Sequence, residues 1–156
     1  MLDATGFAYD NPATLVENDR QALRPVGSMV LMSMYALRGT KMDVRQIAAD
    51  LSVTGQIEIE DVAALRTAGF KSIICNRPDN EEAGQTPADV LRAAILAAGL
   101  EHRSIPVSGA FGVSPDNVEA TIAALDELPR PILAYCRSGA RSTNLYQMAI
   151  MRGAKP

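Results

Sequence analysis

Histidine is nearly absent from this sequence, occurring once in 156 residues, and cysteine occurs only twice. Two thiols and one imidazole cannot supply the four ligands of a structural zinc site, and no closely spaced pair of either type suggests another centre. Neither a metal nor an organic cofactor is therefore expected. An excess of basic residues is also missing: 15 Lys and Arg stand against 18 Asp and Glu, a net charge of -3. No global positive field exists to hold nucleic acid or an anionic membrane, so any anion site must be local. Long hydrophobic runs are absent as well. The longest, residues 26–37, holds 12 residues between Arg24 and Arg38, well short of the ~20 that cross a bilayer. The opening Met1-Leu2-Asp3-Ala4-Thr5 shows no basic segment leading into an apolar run, so a cytoplasmic setting with reduced thiols is expected.

What remains is the composition of one ordinary globular domain, 47% hydrophobic and 21% charged. Residues 1–41 mix the breakers Asn11-Pro12, Arg24-Pro25 and Gly27-Ser28 with Met29, Met32 and Met34, and no period persists. They read as an N-terminal extension: a poorly ordered tail, an added helix, a partner-binding segment or the product of a misplaced start. From Met42 to the C-terminus, short β-branched stretches alternate with amphipathic helical ones. Strands are predicted over 51–53, 72–75, 104–107 and 131–135, and helices over 58–68, 88–98, 117–128 and from the last loop to about Gly153. Thr86-Pro87 and Ser114-Pro115 mark helix starts, and Gly69, Gly99 and Gly153 mark helix ends. Alternation of this kind predicts an α/β three-layer sandwich, with a mostly parallel central sheet between helices.

The chemistry concentrates in Cys136-Arg137-Ser138-Gly139-Ala140-Arg141-Ser142, which joins the last strand to the last helix. A cysteine there faces unsatisfied backbone N–H groups and the positive end of a helix dipole, both of which favour thiolate. Gly139 allows a tight curl, so that the N–H groups of Arg137, Ser138, Gly139, Ala140 and Ser142 can form a nest for an anion. Arg141 adds a planar fork of donors suited to an oxyanion. The Ser142 hydroxyl is placed to donate to sulfur, and Arg137 is expected to point outward.

The loop resembles that of rhodanese-type sulfurtransferases. The longer pattern is Leu51-Ser52-Val53-Thr54-Gly55-Gln56, then Gly69-Phe70-Lys71-Ser72-Ile73-Ile74-Cys75-Asn76-Arg77-Pro78-Asp79-Asn80-Glu81, then Ile105-Pro106-Val107. It is similar to the beta-lactamase-hydrolase-like, phosphatase-like family, a bacterial group of the protein tyrosine phosphatase superfamily often labelled sulfur transferase. That resemblance implies a dual-specificity-phosphatase-like fold, with Cys136 as nucleophile and Arg141 as anion binder. It also implies sulfide-oxidation enzymes as possible partners. One departure stands out: four residues separate Cys136 from Arg141, one fewer than in tyrosine phosphatases, and Tyr135 stands where those enzymes usually carry histidine.

A smaller ring of donors suits a terminal sulfur better than a phosphoryl group. The first expectation is thus a sulfurtransferase that moves sulfane sulfur from thiosulfate or a persulfide to a thiol or sulfite, through a Cys136 persulfide. The alternatives are a phosphatase acting on a phosphate ester through phosphocysteine, and a non-catalytic anion or persulfide sensor. A phosphatase needs a proton donor for its leaving group. Asp79, Glu81, Glu82 and Asp116 are the candidates, and Asp79 is preferred because its loop leaves a strand on the same side of the sheet as Cys136. Arg77 in that loop is a candidate second anion binder. Cys75 is either a core residue or a resolving thiol, and His102 has no apparent partner.

Overall fold

A computed structural model describes Leu37 and residues 39–156 of the chain. Most of the expected N-terminal extension, including the methionines at 29, 32 and 34, lies outside the described residues. The elements follow in the order β1 (Arg45–Ala48), β2 (Leu51–Thr54), α1 (Asp61–Thr67), β3 (Ser72–Cys75), α2 (Ala88–Ala97), β4 (Glu101–Ser104), α3 (Pro115–Glu127), β5 (Ile132–Tyr135) and α4 (Ala140–Met151). The sheet order is β1-β2-β5-β3-β4. β1 runs antiparallel to β2, and the other pairs are parallel.

Strand alternation divides the core in two. On β5, Ile132 and Ala134 join Leu51, Val53 and Ile74 beneath Val118, Leu125, Leu145 and Ala149 of α3 and α4. Leu133 and Tyr135 point the other way, with Ile73 and Cys75, against Val62 and Leu65 of α1 and Leu91 and Ile95 of α2. The expected three-layer sandwich is present, and β3 and β5 are buried along their whole length because both faces are covered. Leu37, Met42 and Val44 pack against the second cluster.

The strand departures share one cause, which is that edge positions carry little apolar signal. β1 was not expected at all: its sequence Arg-Gln-Ile-Ala is half exposed, as suits an edge strand defended by charge. β4 is also an edge strand, and it lies earlier than predicted, over Glu-His-Arg-Ser. The buried Ile105 and Val107 that suggested a strand there belong to the loop beyond it, where their N–H groups still bond to the carbonyls of Cys75 and Asn76. α1 begins at Asp61, so Ile59 is exposed and Ile57 is buried in its place. Ser114 caps α3 through a full capping box with Asn117.

Leu65 on α1 has no exposed surface, whereas Leu96 on α2 is 46% exposed. Leu65→Ala is expected to cost about 2–5 kcal/mol and Leu96→Ala about 0.5 kcal/mol or less. Urea denaturation checks this through the transition midpoints.

Candidate active site

Because β2, β3, β4 and β5 are parallel, their carboxyl ends lie along one edge of the sheet, where the loops that follow them converge. Central β5 delivers Cys136 to that edge. The residue is fully buried, yet its sulfur is surrounded by donors. Gly139 N–H donates to Sγ at 3.0 Å. Burial alone would raise the pKa of the thiol, but the N–H groups of Ser142 and Ser138, the Ser142 hydroxyl and the N–H of Arg141 outweigh it and set the thiol below its ordinary value. That hydroxyl is buried and has no partner in full hydrogen-bond geometry, so it is available to the sulfur.

The Ser138 carbonyl accepts from Arg45 Nη2 at 3.2 Å and the Gly139 carbonyl from the Thr143 N–H at 3.0 Å. Cys136 N–H reaches the Thr54 carbonyl at 3.4 Å, which ties the loop to β2. Gly55 lets the Arg137 carbonyl come so close that an added Cβ would lie 3.1 Å from it. Gly139 turns the chain into α4 with φ of +87°, a left-handed conformation that glycine adopts without penalty. Helix α4 then directs its first N–H groups at the sulfur.

Arg141, in the first turn of α4, spans the pocket to the loop after β3. Nη1 and Nη2 donate to the two Glu81 carboxylate oxygens, each at 2.7 Å, and Nη1 also donates to the Val107 carbonyl at 2.7 Å. This bidentate pairing is the same geometry by which a guanidinium grips any planar oxyanion. Arg77, only 3% exposed, supports Glu81 from behind: Nε donates to Glu81 at 3.1 Å, Nη1 to Gln56 at 2.9 Å and Nη2 to Glu82 at 3.0 Å. The hydrogen bonds from Arg141, working against burial and joined by Arg77, hold the Glu81 carboxyl below the usual carboxylate range.

The remaining expected site residues fall into place around this centre. The Asp79 carboxylate accepts the Ala88 N–H at 2.8 Å. It thereby caps α2, a role the sequence suggested for Thr86, whose hydroxyl donates instead to Glu58. Arg137 is exposed, as expected, with its guanidinium 3.9 Å from Glu82. Ser138 and Ala140 are also exposed. Cys75 packs in the α1–α2 core beside the Tyr135 phenol, donates to the Arg77 carbonyl at 3.3 Å and has its thiol pushed up by burial. It thus behaves as a core residue. His102 on β4 is pushed down to about 4 by burial and by Arg92 and Arg103. Among the described residues, no group of three or more His, Cys, Asp or Glu side chains is placed to hold a metal ion, and no helix is long and apolar enough to cross a membrane.

Four contributors escaped the sequence reading. Glu81 was weighed only as a proton donor, while Gln56, Val107 and Gly55 were noticed only as parts of a longer pattern. No spacing rule links them to Cys136; they meet because their strands end together.

A cysteine at the end of the central parallel strand, followed by a tight loop and an arginine on the next helix, places the domain in the phosphatase-like α/β fold. More narrowly, the chain belongs to the family described as beta-lactamase hydrolase-like protein, phosphatase-like domain, whose model matches residues 43–152. A beta-lactamase hydrolase-like protein of Agrobacterium fabrum is 39% identical over 109 residues, 67% of this chain and 24% of the relative. The chain spans about a quarter of the length of the curated relatives it matches. Among solved structures, a phosphatase candidate from Neisseria meningitidis Z2491 superposes with a TM-score of 0.63 at 28% identity, covering 71% of this chain and 78% of that one. Another from Shewanella putrefaciens CN-32 gives 0.66 at 23% identity over 79% and 80%.

Gly139→Ala would force a side chain into left-handed backbone and place its Cβ 2.7 Å from Arg45 Nη2 and 3.3 Å from the Thr54 carbonyl. A stability loss of about 1–2 kcal/mol is expected, with Cys136 reactivity lost alongside; denaturation and thiol titration of the variant check both. Glu81 is expected to make stability pH-dependent. With its folded pKa depressed, its contribution is complete above the unfolded carboxylate range and disappears as pH falls through the lowered folded value. Glu81→Gln should therefore be less stable than the parent at neutral pH and converge with it in acid, as measured by thermal midpoints across pH.

Proposed function

We propose that the protein is a cysteine-dependent hydrolase of the phosphatase type, acting on phosphate esters. The observation that carries this is the Cys136 sulfur ringed by backbone N–H groups, with the Arg141 guanidinium alongside, in a fold shared with phosphatases. In this reading the thiolate attacks phosphorus, the P–O bond to the leaving group breaks, and the phosphoryl oxygens are held by the loop N–H groups and Arg141. Water then cleaves the phosphocysteine and regenerates the thiolate. Cys136 has no exposed surface at rest, so an incoming anion competes with Glu81 for Arg141 as it enters.

The carboxylates narrow the substrate class. Glu81 is held ionised by two arginines, Glu82 pairs with Arg77, and Asp79 caps a helix. The loop from β4 to α3 reaches Arg141 through Val107 and has no acidic residue between Ile105 and Ser114. Asp116 is exposed in the first turn of α3. Among the described residues no carboxyl group hydrogen-bonds to the Cys136 sulfur, which favours esters whose leaving group departs as an anion. Asp79 and Arg77 are read here as structural supports of the loop, not as acid and anion ligand.

A second reading, sulfur transfer, is favoured by the four residues between Cys136 and Arg141 and needs no proton donor for its leaving group. The thiolate would attack the sulfane sulfur of thiosulfate, sulfite would leave as an anion without a proton, and the Cys136 persulfide would pass its outer sulfur to a thiol or sulfite. Sulfur donors and partner enzymes of sulfide oxidation belong to this reading only.

Parallel assays with an aryl phosphate, and with thiosulfate plus a thiol acceptor, decide between them. Phosphate release is expected, falling by at least about 10³ in Cys136→Ser and strongly in Arg141→Lys. Sulfur transfer without phosphate release would install the second reading in its place. Sulfate binding with neither reaction would mark a non-catalytic anion sensor.

A further inference from the structure

The unexpected edge strand β1 brings one charged side chain to the cysteine loop. Arg45 Nη2 donates to the Ser138 carbonyl at 3.2 Å, and across the same peptide unit the Gly139 N–H donates to Cys136 Sγ at 3.0 Å. A peptide unit is planar, with C=O and N–H pointing in opposite directions. Whatever holds the oxygen on one side therefore aims the hydrogen on the other. The preceding unit is braced differently: its Arg137 carbonyl lies against Gly55 while its Ser138 N–H serves the sulfur. Gly55 leaves room for the first carbonyl, and a cation holds the second.

We propose that Arg45 is a positioning residue for the Cys136 thiolate, holding the Ser138–Gly139 peptide with its N–H aimed at sulfur and strengthening that donor by placing positive charge at the carbonyl end. Linked hydrogen bonds polarise one another, and donors to an anion stabilise its charged form. Gly139 fits the same scheme, since a side chain there would occupy the space Arg45 Nη2 uses.

Other charges act on the same groups. Arg141 approaches Cys136 from α4 with Glu81 on its guanidinium, and Arg77 stands behind Glu81. Asp43 lies 3.8 Å from Arg45 Nε and tempers its field. The Arg45 side chain is half exposed, so its influence is screened and modest. The catalytic consequence rests on the nucleophilic role proposed for Cys136, but ionisation of that sulfur is measurable without turnover.

The test is a pH titration of thiolate ultraviolet absorbance in the full chain and in Arg45→Gln, each corrected by its Cys136→Ser counterpart so that Cys75 and the tyrosines cancel. In Arg45→Gln the curve should move to higher pH, so that the thiolate fraction below the midpoint falls about two- to fivefold. Arg45→Lys keeps a cationic donor and should recover most of the shift, with the melting temperature of both variants close to that of the parent. An unmoved curve in Arg45→Gln, or the same displacement in Arg45→Lys, overturns the proposal. Loss of turnover in Arg45→Gln without a shift of the curve overturns it as well. A shift recorded in a protein that turns over neither substrate supports the role of Arg45 and counts against the enzymatic reading instead.

Discussion

A thiolate buried beneath a protein surface is tolerated only if hydrogen-bond donors replace the water it gives up. Much of the carboxyl edge of this sheet is arranged around that constraint. Cys136 loses all its exposed surface, yet the N–H groups of Ser138, Gly139, Arg141 and Ser142 turn toward it. Pointing those donors inward obliges the carbonyls of the same peptide units to point outward, where each needs support of its own. Gly55 leaves room for the Arg137 carbonyl, and Arg45 donates to that of Ser138. Requirements at one sulfur thus propagate to residues on β1 and just after β2, far from it in sequence.

The same edge shows why the core and the site differ in how plainly the sequence announces them. β3 and β5 are covered on both faces and read as continuous apolar runs, and Ser114, Gly69 and Gly99 punctuate helices through local rules that operate within a few residues. Cys136 and Arg141 were legible because strand, turn and helix follow one another directly. β1 and β4 were not, since an edge strand needs only one apolar face and protects itself with polar residues. Glu81 escaped for another reason. Its importance comes from lying opposite Arg141, 60 residues away, a relation created by sheet order β5-β3 and invisible to any local pattern.

Asp79 shows how two demands can fall on one side chain. A carboxylate leaving β3 beside the cysteine loop has the position of a proton donor, but the start of α2 lacks a side-chain cap from its own N-cap residue, Pro87. Asp79 fills that need by accepting the Ala88 N–H. The helix terminus and the chemistry compete for the same side chain, and in the resting protein the helix has it.

The Arg77–Glu81–Arg141 chain makes the shape of the anion site depend on charge balance. Arg77 is nearly inaccessible, so leaving it without carboxylates would strand a buried cation, which is far costlier than losing a surface pair. Glu81 therefore serves two masters: it neutralises Arg77 and it holds the Arg141 fork in a fixed plane. In the proposed phosphatase reading, a substrate oxyanion that took over part of the Arg141 fork would leave Glu81 bound to Arg77, so one anion would replace another without exposing an unpaired charge. In that reading the cost of the exchange falls on the Arg141–Glu81 contact, where the incoming anion offsets it.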